Sequence, residues 1–414
     1  MAPTRSETVN RNAVPRDLNG HYGSLDEHQQ EALHGFRSLV VQRGYADFQT
    51  ATPLQDIKLL RFLRARRWDA EAAYTQFNDT ETWRQVNQIN TVYETIDIEA
   101  YKQLRNLYPQ WTGRRDRLGA PLYVYAPQTL NGQVVAVSEE VTARPDFSLA
   151  KKDEETSTGL VCFAALLDNL LRFTQPLATQ LPDRKHPEVP VTLSTYIIDF
   201  SGISILQFWS LKSHIRTLAC LVSAYYPETL GSIFIVGAPS FFGTVFSWIK
   251  GWLDPVTVSK IRIVGPSEAK SALEEAIDKC NIPKAYGGDL DYAFGKAPVL
   301  DPVLKDIVDW DGGYSSFPLA PLVWEPVEGS PDRVACLKVG RQDGQLSLAS
   351  GFSVPDFFSL LLSRFKHEIC FSPLVPYRFS KRASTVTQYH STAKMKCLQK
   401  AQTRTLARRF PHVY

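Results

Sequence analysis

The stretch that most constrains this chain runs from Ala224 to Gly265, AYYPETLGSIFIVGAPSFFGTVFSWIKGWLDPVTVSKIRIVG. Ser232–Val236 is a short β-branched and aromatic run between Gly231 and Gly237, the pattern of a buried strand. Ala238-Pro239-Ser240 breaks it, and Ser240 is placed to cap a following helix. In that helix Phe241, Val245, Trp248, Ile249 and Trp252 recur at helical spacing, while Phe242 and Phe246 extend the apolar surface to a second face. A helix apolar nearly all round needs something other than water on both faces. Asp254-Pro255 is read as its end, and Val256–Val264 as a returning strand that carries Thr257 and Lys260. Two readings follow: a lid over a pocket for a lipid-like ligand, or a core helix of an ordinary α/β protein. Pattern alone favours the core helix.

The rest of the chain fits an α/β architecture. Leu25–Gly44 carries Leu33, Phe36, Leu39 and Val40 at helical spacing. Asp56 is read as the cap of a helix over Ile57–Arg67, and Asp69 as the cap of one over Ala70–Val86. Arg114, Arg115, Asp116 and Arg117 precede a Leu118-Gly119 turn into a strand over Pro121–Tyr125; this cluster reads as a solvated turn, with a phosphate contact as the alternative. A largely apolar helix over Leu160–Thr174 leads to a linker holding Pro182, Pro187 and Pro190. A strand follows over Thr195–Phe200, a long helix over Ile205–Tyr226, and an amphipathic helix over Glu268–Cys280. Helices alternating with short apolar strands argue for a sheet covered by helices. Beyond Leu290 the pattern weakens, and DWDGGYSSFPLAPLVWEPVEG reads as an extended segment strapped to the domain.

Composition narrows the function classes. Of 414 residues 44% are apolar and 21% charged, as in soluble globular proteins, and no apolar run reaches the roughly 18 residues of a membrane span. The polar start, MAPTRSETVNRNAVPRD, has no apolar core for a signal peptide. Six scattered cysteines read as reduced thiols, so the expected compartment is the cytoplasm. Residues 369–414 hold nine Lys or Arg and no Asp or Glu, which leaves a net −6 on residues 1–368. That tail reads as unstructured or as an arm for an anionic membrane surface, where each cation contributes about 1 kcal/mol.

Enzyme templates are missing. The sequence has no GxSxG, HExxH, GxxxxGK[ST] or GxGxxG, and its eight histidines include no i,i+4 pair. Asp199, at the end of its strand, has no partner base in view and reads as structural. Neither a catalytic residue, a metal nor a cofactor is expected.

Several blocks together resemble the CRAL-TRIO lipid-binding domain, in its fungal-type secretory phosphatidylinositol/phosphatidylcholine transfer proteins. They are LLRFLRARRWD (Leu59–Asp69), YIIDFSGIS (Tyr196–Ser204), YYPETLG, GAPSFFGTVFSWIKGWLDPVTVSKI and KAYGG (Lys284–Gly288). The blocks stand in family order over roughly residues 22–290. The resemblance implies an unstructured start (1–21), a helical N-terminal region (22–90), a CRAL-TRIO domain (91–290) with a mixed sheet and an apolar lipid pocket closed by a helical lid, and an extension (291–414). A lipid carrier has a physical requirement of its own. The thirty or so acyl carbons of a diacyl phospholipid, at about 0.8 kcal/mol per CH₂, would cost roughly 25 kcal/mol to expose to water. The lid residues Phe242, Phe246, Trp248, Ile249 and Trp252 would supply the apolar wall.

By resemblance, the phosphatidylinositol headgroup residues fall on Arg66, Arg67, Glu228, Thr257 and Lys260. Lys260 and Thr257 would hold the phosphate, Glu228 the inositol hydroxyls, and the arginines the acidic surround. Thr257 and Lys260 would lie on opposite faces of a strand, so their cooperation requires a turn or helix at Asp254–Ser259. The second-lipid headgroup positions fall on Tyr123, Ser194, Tyr196 and Thr112. Thr112 stands where the family has Tyr, and Tyr196 where it has Thr, so a choline cation loses an aromatic face and gains a ring in a small-hydroxyl site. The resemblance thus implies a monomeric phosphatidylinositol-binding transfer protein that meets cytosol-facing Golgi or endosomal membranes transiently, in vesicle traffic and phosphoinositide signalling, with no nucleic-acid partner. The alternatives are a carrier of another hydrophobe such as a sterol, favoured by Thr112 and Tyr196, and a membrane-docked regulator of a protein partner.

Overall fold

The computed structural model describes residues 18–130, 140–144 and 146–356; the expectations for residues 1–17 and for the 369–414 tail fall outside them. The chain opens with a helical hairpin. Helix α1 (Glu27–Gln42) starts at Asp26, whose carboxylate accepts from the Gln29 amide while the Gln29 side chain accepts in return from the Asp26 amide. Helix α2 (Pro53–Ala65) starts four residues earlier than the sequence suggests. Thr52 is its cap and Pro53 its first residue, so Asp56 lies inside the first turn, where it pairs with Arg37 of α1. Asp69 caps α3 (Ala70–Val86) as expected. Phe77 of α3 centres this bundle, with Phe36, Tyr45, Phe48 and Phe62 all meeting its ring edge to face. Short helices α4 (Ile89–Thr95) and α5 (Ile98–Leu104) lead to the sheet.

Five strands form that sheet in the order β1 (Gln110–Arg115), β2 (Pro121–Tyr125), β3 (Ser194–Asp199), β4 (Leu230–Val236) and β5 (Ile261–Ile263). The first pair is antiparallel and the remaining pairs are parallel, giving a mixed sheet. Between β2 and β3 comes α6 (Thr158–Asn169), which passes through a π-helical turn (Leu170–Thr174) into α7 (Gln175–Thr179). Helix α8 (Ile205–Tyr225) joins β3 to β4; α9 (Phe242–Lys250) and α10 (Pro255–Ser259) lie between β4 and β5; α11 (Ala269–Ala276) follows. Alternate strand residues face opposite layers. Tyr123, Tyr125, Tyr196, Ile233 and Ile235 join the core shared with α6, α8 and α9. Leu122, Val124, Ile197, Phe234 and Val236 join the core shared with α11.

Two segments differ from the sequence reading. Asp254-Pro255 begins a helix instead of only ending one. Asp254 accepts from the Thr257 amide at 2.9 Å and Pro255 supplies the first helical residue, so strand structure is confined to Ile261–Ile263. The region after Leu290 is more than a strap. Helix α12 (Pro302–Ile307) precedes β6 (Asp309–Trp310), β7 (Leu322–Val327), β8 (Ser330–Gln342) and β9 (Gln345–Pro355), which form a second, antiparallel sheet in the order β6-β9-β8-β7. Its Phe352, Val354 and Leu322 pack on Phe173, Leu177 and Leu181. The buried Tyr93 hydroxyl donates to the Leu322 carbonyl at 2.7 Å, tying this sheet to the helical region. No helix among the described residues is long and apolar enough to cross a membrane.

Candidate functional site

Glu228 lies in the turn between α8 and β4 with a left-handed backbone (φ 54°). The turn is pinned from below. Tyr226 donates its hydroxyl to buried Asp168 at 2.9 Å, and Arg84 grips the same carboxylate through two bonds of 2.7 Å. Burial alone would raise the Asp168 pKa, but the Coulombic pull of Arg84 and Arg172 outweighs it and holds the group at about 2.

Above this support, two cations converge on Glu228. Arg64 Nη2 stands 2.9 Å and Lys260 Nζ 3.4 Å from the same carboxylate oxygen. Lys260, which closes α10, also donates to the Leu230 carbonyl at 2.8 Å. Arg64 and Glu228 each keep 13% exposure and Lys260 22%, so solvent reaches the cluster from one side. The two cations outnumber the carboxylate they share, leaving one positive charge in a partly desolvated place.

Arg66 and Thr257 do not touch this carboxylate. Thr257 donates its hydroxyl to Asp254 at 2.6 Å, inside the cap of α10. The half-buried Arg66 guanidinium has a pKa lowered by desolvation and opposed by the fields of Asp254 and Asp79. Helix conformation at Pro255–Ser259 thus puts Thr257 and Lys260 on one short element, as their cooperation requires. Arg67 is exposed, with φ 52°, where the chain reverses between α2 and α3.

Sequence reasoning missed three residues at this place. Arg61 and Arg64 stand three apart on α2 and so share a helix face, a spacing the sequence does display. Arg61 donates to Gln175 at 2.8 Å, and burial, reinforced by Arg64, lowers its pKa to about 10. His21, assigned by sequence to an unstructured start, is 2% exposed, with Nδ1 2.7 Å from the Thr192 hydroxyl and 3.3 Å from Arg64 Nη1. Gly20 (φ 80°) and Gly23 (φ 83°) turn the chain on either side of it. A side chain at Gly23 would stand 2.4 Å from the Glu188 carbonyl.

The second group of expected residues is brought together in part. Tyr123 and Tyr196 are cross-strand partners whose rings stack at 5.3 Å. The Tyr123 hydroxyl lies 2.8 Å from that of Thr174, on the π-helical turn. Tyr196 is hydrogen-bonded to Ser194, whose hydroxyl accepts weakly from Gln175 at 3.5 Å. Burial raises both tyrosine pKa values, so both rings stay neutral. Thr112 stands apart, donating to the Leu122 carbonyl and accepting from the Arg114 amide.

The apolar helix α9 divides its faces unequally. Phe242, Val245 and Ile249 are buried, with Phe242 5.0 Å from Phe200 and 6.1 Å from Phe246. Phe246 and Trp252 are half-buried against the same core. Trp248 faces outward at 38% exposure, 5.1 Å from Trp209, and the Lys212 ammonium sits over both rings. Ile205 and Leu206 extend this exposed apolar surface, so one face of the helix does meet water.

The Arg115 cluster is a paired turn. Arg115 grips Asp183 through two bonds and reaches Asp301, while Asp116 accepts from the Leu118 and Ala120 amides. Among the described residues, no group of three His, Cys, Asp or Glu side chains is placed to hold a metal ion.

Comparison with known proteins agrees with this architecture. The CRAL/TRIO domain family matches residues 105–288, and the CRAL/TRIO N-terminal domain matches residues 36–79. A CRAL-TRIO domain-containing protein of Saccharomyces cerevisiae is 33% identical over 298 residues, covering 70% of this chain and 86% of that protein. The SEC14 cytosolic factor of Kluyveromyces lactis is 31% identical over 293 residues, covering 71% and 88%. A phosphatidylinositol/phosphatidylcholine transfer protein of Arabidopsis thaliana is 27% identical over 302 residues, covering 68% of this chain and 46% of its own length. With a helical N-terminal region, a mixed sheet and relatives of this extent, the chain belongs to the CRAL-TRIO family of lipid-binding proteins, alongside the fungal Sec14-like members.

Proposed function

We propose that this protein binds phosphatidylinositol and exchanges it between cytosol-facing membranes. The observation that carries the reading is the convergence of Arg64 and Lys260 on Glu228. That cluster carries one net positive charge, the complement of a phosphodiester. The longer Lys260 contact yields to the phosphate, while Glu228, held by Arg64, accepts inositol hydroxyls. Thr257, Arg66 and Arg67 complete the surround. Nothing in this arrangement breaks a bond, and the protein acts as a carrier.

In the same reading, α9 is the gate. Its buried Phe242, Val245 and Ile249 belong to the core shared with α6 and α8, the apolar volume that acyl chains would enter. Trp209 and Trp248, with Lys212 across them and Leu206 beside them, fit the interfacial zone of an anionic membrane, where aromatic rings and cations reside together. Contact there draws the helix outward and lets acyl chains pass without meeting water. The stacked Tyr123–Tyr196 pair occupies the second headgroup position, so phosphatidylcholine binds weakly. Vesicle traffic and phosphoinositide supply on Golgi or endosomal membranes are the processes such a carrier serves.

Transfer of labelled phosphatidylinositol between vesicles tests this reading. Lys260→Ala is expected to abolish phosphatidylinositol transfer and spare any phosphatidylcholine transfer, whereas Phe246→Asp stops both with the fold intact. Wild-type transfer by Lys260→Ala contradicts the clamp, and wild-type transfer by Phe246→Asp contradicts the gate.

A further inference from the structure

His21 is not among the residues that the family resemblance brings forward, yet it stands at the cationic cluster. Its Nδ1 faces two donors. Arginine cannot accept a hydrogen bond, so the 3.3 Å contact with Arg64 Nη1 makes Nδ1 an acceptor. The Thr192 hydroxyl, 2.7 Å away, then donates to the same atom. A neutral imidazole that accepts at Nδ1 carries its proton on Nε2. That Nε2 is buried and has no hydrogen-bond partner among the described residues.

A buried N–H donor without an acceptor is unfavourable, and native structures rarely leave one so. The surroundings point to what completes it. Arg64, Lys260 and Arg61 all push on His21 electrostatically, and burial together with these cations lowers its pKa to about 2, so it does not join them as a fourth cation. An acceptor oxygen bearing negative charge satisfies the Nε2–H, and the field of the nearby cations favours it.

We infer that His21 is a ligand-binding residue: through Nδ1 it holds the Arg64 guanidinium in place, and through Nε2–H it donates to a phosphate oxygen of the bound phospholipid headgroup. This rests on the phospholipid reading above and adds to it a neutral donor supplied from outside the family's motif blocks. It also gives the segment 18–23 a role, because the two left-handed glycines deliver the imidazole to Arg64.

The test compares wild type with His21→Phe, which removes donor and acceptor, and His21→Gln, which keeps an amide donor. Each protein is loaded from phosphatidylcholine vesicles containing phosphatidylinositol, and the bound lipids are quantified. His21→Phe is expected to lose phosphatidylinositol about tenfold, the factor given by one hydrogen bond to a charged group, with phosphatidylcholine uptake unchanged and with most of the loss restored in His21→Gln. In ¹⁵N-labelled wild type, the His21 Nε2–H resonance is expected to move on loading. Equal phosphatidylinositol uptake by all three proteins overturns the inference, as does parallel loss of both lipids in His21→Phe without recovery in His21→Gln, the mark of a packing residue. Wild-type protein that takes up phosphatidylcholine alone overturns the phosphatidylinositol reading instead. His21 is then judged by its resonance on loading that lipid: movement sustains it and a fixed signal overturns it.

Discussion

Around Glu228, the side chains that hold one another come from far apart in the chain: Arg64 is 164 positions from Glu228, and His21 is 171 from Thr192. Around Phe242, the ring contacts run to Phe200 and Phe246, and the helix that carries them is built from local apolar spacing. The first region is a set of mutually dependent charges, so removing one partner strands another. The second is a pool of overlapping apolar contacts, where the effect of a change follows depth. In the proposed function, headgroup specificity would rest on the first kind of region, and tolerance of varied acyl chains on the second.

Depth is the first thing to test. Phe242, 2% exposed, is expected to lose about 3–5 kcal/mol of stability on change to Ala, the range for a buried aromatic. Trp248, 38% exposed on the same helix, is expected to lose under about 1 kcal/mol on the same change, while lipid transfer falls. Denaturant unfolding of the two variants checks the contrast, and equal losses break it.

The charged region comes next. Glu228→Gln leaves Arg64 and Lys260 facing a neutral amide. A fully buried pair loses about 3–5 kcal/mol on removal of one partner; the 13% exposure of Glu228 and Arg64 brings the expected loss to about 2 kcal/mol. In a double-mutant cycle with Arg64→Gln, the two losses are expected to fall well short of additive. Additive losses would show that the two side chains do not sense each other.

A third expected effect is one of pH. His21 titrates at about 2 in the fold and near 6.5 when exposed. Below about pH 6.5 the unfolded chain therefore binds a proton that the folded chain refuses, so stability rises with pH in that range. Each unit of acidification removes up to about 1.4 kcal/mol through this group. His21→Phe is expected to flatten the stability profile between about pH 6.5 and 4.5 by that slope. Parallel profiles for variant and wild type would place a protonated imidazole in the fold.

The same contrast explains what the sequence reveals. Helical spacing and capping disclose α1, α3 and α8, and the Ser194–Asp199 strand stands within a residue of its expected ends, because these signals are local. Asp254-Pro255 misleads because a cap followed by proline begins a helix as readily as it breaks one. The second sheet carries one local mark in the sequence. Asp343-Gly344, with φ 51° and 77°, is the two-residue turn that joins β8 to β9. At the candidate site, the motif blocks bring Glu228, Thr257 and Lys260 into view. The Arg64 and His21 contacts depend on distances between segments, which no local pattern encodes.

The most direct measurement of the central claim is mass spectrometry of the lipid that co-purifies with the protein from a host whose membranes contain phosphatidylinositol, beside Lys260→Ala. Phosphatidylinositol in the wild type and its loss from the variant is the predicted result. A sterol in both proteins, or phosphatidylinositol retained equally by both, would contradict it.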